Sequence, residues 1–192
     1  MTDPKTAHQR RWIALVLLAA AQFIVVLDAS IVNVALPSIG EALDFSQENL
    51  AWVVNAYVLT FGGFLLLGGR LADLLGRRRV FIAGLLLVAA ASLAAGFASN
   101  EAQLIAARAA QGLGAAIISP AALSIGTTTF RDGSERNKAL GVWGAVAGAG
   151  GAAGVLLGGI LTDGLGWEWV LWVNVPVAFL AAALAPAVLA ES

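Results

Sequence analysis

Six stretches of about twenty predominantly apolar residues, separated by short polar intervals, leave this chain few folds to choose from. They run Trp12–Leu36, Leu50–Gly68, Val80–Ala98, Ala102–Ile125, Ala139–Leu161 and Trp167–Leu189. At roughly 1.5 Å per helical residue, each is long enough to cross a hydrocarbon core about 30 Å thick. With 59% hydrophobic and only 12% charged residues in 192, the chain lacks the charged surface of an ordinary soluble domain. The expected fold is an all-α polytopic membrane protein. Residues 1–11 form a cytoplasmic segment, 12–189 a six-helix transmembrane bundle, and 190–192 a cytoplasmic end or the start of a linker.

The opening MTDPKTAHQRR has the basic character of a secretory leader. The apolar run behind it exceeds the roughly 7 to 15 residues of a leader core, and LDASIVNVALP offers no small-residue cleavage site, so the first span is read as retained. Cysteine is absent, which excludes disulfides, thiolate metal sites and thiol chemistry. No metal site is expected, and no basic patch suggests nucleic acid.

Charge is sorted by side. Lys5, Arg10 and Arg11, then Arg70, Arg77, Arg78 and Arg79, then Arg131, Arg136 and Lys138 fall in alternate intervals, while the others hold Glu41, Asp44, Glu48, Glu101, Asp163 and Glu168 without a Lys or Arg. The positive-inside rule therefore places both ends in the cytoplasm of a cell's inner membrane. The short loops leave no room for an extramembrane enzyme domain, and they predict that sequential helices pack as neighbours.

Charges inside the spans are costly and need partners. Asp28 lies on the outer half of the first span, and Arg108 lies at matching depth on the fourth. Equal depth predicts an ion pair facing a central cavity, with a purely structural tie between two helices as the alternative. Arg keeps its proton, so Asp28 is the one of the pair able to carry one. Gln111 sits near one turn beyond Arg108 and extends the polar stripe. Asn33 is expected to be a buried amide in the same outer half as Asp28.

Glycines and prolines add further expectations. Gly112 and Gly114 allow close approach of another helix, and Pro120 frees a carbonyl and can bend the fourth span. On the fifth span Gly150, Gly154 and Gly158 recur every four residues, giving a flat face on which a partner can pack or slide. A dinucleotide fingerprint is excluded there, because no strand precedes those glycines. Asp73, Gly76, Arg77 and Arg78 bring opposite charges together at the inner rim, as a latch or as topology-setting charge. Trp167, Trp169 and Trp172 read most simply as an interfacial belt.

In order and content these segments resemble the N-terminal half of the major facilitator superfamily, especially its 14-helix drug:proton antiporters. The carriers of the likeness are LDASIVNVALP from Leu27 to Pro37, the inner-loop set Gly69, Leu71, Ala72, Asp73, Gly76, Arg77 and Arg78, the fourth-span set Arg108, Gln111, Gly112 and Gly114, and the fifth-span Gly154, Gly158 and Gly159. Ser30 replaces the family's usual threonine, Val155 a proline and Glu168 a basic residue.

The resemblance implies a six-helix half bundle that exports hydrophobic or cationic drug-like compounds by alternating access, driven by the proton gradient and needing no cofactor. Its implied partners are membrane lipids, protons, a small hydrophobic or cationic substrate, and a C-terminal half or second subunit. Proton coupling and the substrate cavity would fall to Asp28, Asn33, Arg108 and Gln111, and gating to Asp73, Gly76, Arg77, Arg78, Gly150, Gly154 and Gly158. Metabolite transport on the same scaffold, or a non-transporting fragment, are the alternatives.

Overall fold

A computed structural model describes residues 3–191, and among them every regular element is helical. The helices are α1 (Pro4–Ala42), α2 (Gln47–Leu50), α3 (Trp52–Leu75), α4 (Arg77–Gly96), α5 (Glu101–Thr129), α6 (Gly133–Gly164), α7 (Glu168–Trp172) and α8 (Asn174–Val188). α2 runs into α3 and α7 into α8, so the eight make six spans. The break before α8 has a local cause. Pro176 sits in its first turn and lacks the N–H that would bond back to Trp172.

Several helices overrun the apolar stretches, because a helix can continue into the headgroup region where hydropathy no longer marks it. α1 starts at Pro4, where a missing N–H costs nothing, and Asp3 caps it by accepting from the Lys5 N–H at 3.1 Å. Ser46 and Asn100 cap α2 and α5 in the same way, accepting from the N–H groups of Asn49 at 3.2 Å and Gln103 at 2.9 Å. Glu101 ties these two helix starts together, accepting from the Ser46 N–H at 3.0 Å and the Asn49 amide at 2.8 Å.

Of the main neighbours only α4 and α5 are sequential spans, so the expectation from short loops holds for that pair and not for the rest. α1 packs chiefly on α6, α5 on α3 and α4, and α8 on α4. Loop length limits the distance between helix ends, but small residues decide which faces can meet. A Cβ at Gly112 would strike the Tyr57 carbonyl and Thr60 of α3, and one at Gly114 would strike Val88 of α4. Pro120 withdraws the N–H that would bond to the Ala116 carbonyl, and that carbonyl lies where a Cβ on Gly68 of α3 would sit. Along α6, Gly150, Gly154 and Gly158 all lie on α1, against Phe23 and Val26, then Ser30, then Ile31 and Val34. α3 and α6 flank the bundle and turn Leu66, Leu67, Val155, Leu156 and Ile160 outward, a surface suited to hydrocarbon.

At the end of the bundle where α3 turns into α4, the interval between the second and third spans shrinks to Gly76, whose φ of +101° belongs to the region that favours glycine. Arg78 donates to the carbonyls of Leu189 at 3.0 Å and Pro186 at 3.4 Å, and Arg10 donates to that of Ala187 at 2.8 Å. Cations thus satisfy the orphan acceptors at the end of α8. Arg78 and Arg79 also face Glu191 at 3.6 and 3.7 Å, and Arg11 meets Glu135 at 3.0 Å.

Candidate functional site

Two large apolar clusters, beside a small third one of Leu15, Phe130 and Ala139, make up the buried interior, and polar side chains lie between the two large ones. Toward the Gly76 end of the bundle lie Leu18, Phe81, Leu85, Ile118 and Ile125; toward the opposite end lie Ile31, Ile39, Val53, Leu104 and Val170. On each contributing helix the polar residue falls at the join. Asp28 comes from α1, Ser92 from α4, Arg108 and Gln111 from α5, and Asn174 from α8, all of them buried.

Arg108 is the hub. Its Nη1 donates to Asp28 Oδ1 at 3.0 Å and to Gln111 Oε1 at 3.0 Å, and its Nε donates to the Val53 carbonyl at 2.8 Å. The guanidinium carbon lies 4.5 Å from the centre of the Tyr57 ring, a cation–π contact in a water-poor setting. The Tyr57 hydroxyl in turn donates to the Val25 carbonyl at 3.1 Å, which fixes the ring. Gln111 passes the chain on, donating to Ser92 Oγ at 2.7 Å.

This division of partners has a chemical consequence. Removing a partner from a buried charge is costly, so a permanent cation must be held by more than one group. Arg108 has two acceptors and an aromatic face besides Asp28, and would stay in place if the carboxylate took up a proton. Asp28 is therefore the member of the pair free to change state. Asn174 stands beside Asp28 as an electrostatic neighbour, yet neither of its amide atoms makes a hydrogen bond of full geometry, and Arg108 Nη2 has no partner either.

Of the residues singled out in the sequence, Asp28, Arg108 and Gln111 meet in one network. Asn33 does not join it. It is exposed and its amide donates to the Ala29 carbonyl of its own helix at 3.0 Å, which corrects the expectation of a buried group. Asp73 is half-exposed and faces Arg77 at 3.6 Å, while Arg78 turns to the end of α8. Two of the three tryptophans are packing elements as much as a belt. Trp167 is buried; Trp172 donates to the Leu93 carbonyl at 3.2 Å, lies against Phe97 at 5.0 Å, and occupies the space a Cβ on Gly96 would need.

Tyr57, Ser92 and Asn174 take part without having been assigned roles from the sequence. Tyr57 carried the clearest signal, as the chain's one tyrosine within an apolar span. A separate cavity of about 500 Å³ opens between Arg10, Arg11, Thr128 and Arg131, and neither Asp28 nor Arg108 lines it.

The family profile of the Major Facilitator Superfamily matches residues 18–192. The chain is 53% identical over 172 residues to a puromycin resistance protein of Streptomyces alboniger, covering 90% of this chain and 34% of that protein. It is 51% identical over 177 residues to a cephamycin export protein of Amycolatopsis lactamdurans, covering 92% and 36% respectively. To a lincomycin resistance protein of Streptomyces lincolnensis it is 39% identical over 182 residues, covering 93% and 37%. The chain thus spans about a third of the length of these relatives.

Proposed function

The chain belongs to the major facilitator superfamily, and we propose that it supplies the proton-coupling bundle of an antiporter that exports hydrophobic or cationic antibiotics by alternating access. The observation that carries this reading is the fully buried Asp28–Arg108 pair, in which the cation has its own supports and the acid can change charge. Proton uptake by Asp28 removes the strongest attraction between α1 and α5 while Arg108 keeps its other partners. The balance between two packings of the bundle then depends on protonation. The resistance and export roles that the relatives' names carry support drug-like cargo.

In this reading the substrate binds between this bundle and a second one, and the glycine face of α6 on α1, with the Asp73, Gly76, Arg77 and Arg78 rim, permits the rocking motion. The open face of α1 carries Asn33 toward that cavity as a substrate contact. Both chain ends face the cytoplasm of the cell membrane, by the distribution of Lys and Arg. No cofactor is required, since the proton gradient supplies the energy.

The test is pH-gradient-driven efflux from proteoliposomes holding the chain joined to the remaining C-terminal length of the puromycin resistance relative. Asp28→Asn should insert normally and lose gradient-driven efflux. Undiminished efflux in that variant refutes the role given to Asp28.

A further inference from the structure

Asn174 is completely buried at the start of α8, in the polar join between the two apolar clusters, with both amide atoms short of a full hydrogen bond. A buried amide in such a place costs free energy unless it gains partners in some state of the protein. Its neighbour is Asp28, and Asp28 has one oxygen committed to Arg108. An amide is an uncharged side-chain group with a strong donor and a strong acceptor on separate atoms. It can therefore serve a carboxylate through N–H and a carboxylic acid through its carbonyl.

We infer that Asn174 is the protonation-dependent partner of Asp28: it stands beside the carboxylate without a full hydrogen bond while Arg108 is paired, and its Oδ1 accepts the acid's O–H once Asp28 is protonated. The proton then passes from Asp28 paired to α5 into a hydrogen bond directed at α8. Protonation thus exchanges one interhelical tie for another. Asn174 is a positioning residue here, since it neither gains nor loses a proton. Other groups facing Asp28 leave it this part. From α5 comes Arg108, which only donates; from α3 comes Tyr57, whose hydroxyl is spent on the Val25 carbonyl; from α4, Ser92 is engaged with Gln111; α6 meets α1 there with glycines.

This inference rests on Asp28 being the proton carrier, and one experiment separates the two claims. The chain is placed in lipid nanodiscs with asparagine labelled in its side-chain carbonyl, and infrared difference spectra are recorded against pH. Asp28→Asn identifies the acid carbonyl band, and Asn174→Ser identifies the Asn174 amide band.

The expected result is an acid band that grows as pH falls, with the Asn174 carbonyl moving to lower wavenumber over the same pH range. In Asn174→Leu the acid band should move to higher wavenumber, because its O–H has lost its acceptor. An acid band with a motionless Asn174 carbonyl overturns the inference and leaves Asp28 as proton carrier. No Asp28 acid band at any pH where the chain stays folded overturns both. The labelled unsubstituted chain decides the matter even if the Leu variant does not fold.

Discussion

Adding one methyl group at Gly154 tests how α6 is held to α1. A Cβ built there falls on Ser30 Oγ, lies 3.0 Å from Ser30 Cβ and lies 3.1 Å from the Ile31 nitrogen. Ser30 has little room to yield, because its hydroxyl already bonds to the carbonyls of Gly151 at 3.2 Å and Leu27 at 3.3 Å. Rotating it away gives up the bond to Gly151, about 1 kcal/mol. Separating the helices instead costs on the order of 1–3 kcal/mol as overpacking. Gly154→Ala should therefore destabilise the bundle by about 1–3 kcal/mol, by whichever of those two routes is the less costly.

The control is Gly159→Ala on the same helix, where nothing lies within 4 Å of the added atom. That change should cost nothing and can gain up to about 1 kcal/mol from reduced backbone freedom. Ser30→Gly removes both colliding atoms of residue 30, so the pair Ser30→Gly and Gly154→Ala should recover on the order of 1 kcal/mol in a double-mutant cycle. Reversible unfolding in bicelles by steric trapping measures all four forms. Equal cost at positions 154 and 159, or a cycle with no coupling, refutes the reasoning that these glycines are chosen by what they touch.

Other substitutions probe the remaining assignments. Asn33→Ala should change stability by less than about 0.5 kcal/mol in the same assay, since the amide is exposed and bonded to its own helix. Gly96→Ala should displace Trp172 and cost about 1–3 kcal/mol, with the near-ultraviolet circular dichroism of the Phe97, Trp169 and Trp172 group lost first. The absence of native cysteine makes topology directly measurable. A membrane-impermeant maleimide applied to intact cells should label Asp44→Cys and leave Arg131→Cys unlabelled until the membrane is opened.

Much of the architecture can be read from the chain, but the readable part has a physical limit. Hydropathy identifies six spans, and counting residues from their ends puts Asp28 and Arg108 at one depth. Depth alone does not give azimuth. Asn33 shares the outer half with Asp28, yet five residues along a helix turn it by about 140°, away from the network. Gln111 lies three residues beyond Arg108 and keeps its face. The glycine face of α6 was visible, whereas its partner α1 was not, because a smooth surface does not name what lies on it. Tyr57, Ser92 and Asn174 were harder still: each is a polar residue in a largely apolar span whose role depends on helices far away in the chain.

The layered interior has a mechanical consequence. Dispersion contacts above and below the polar join depend weakly on orientation, so side chains there can slip past one another at modest expense. The bonds that radiate from Arg108 are directional and tolerate little rotation. The bundle is thereby stiff in one thin plane and compliant on both sides of it. In the rocking motion proposed above, that plane would be the pivot, and the helix ends farthest from the guanidinium would travel most.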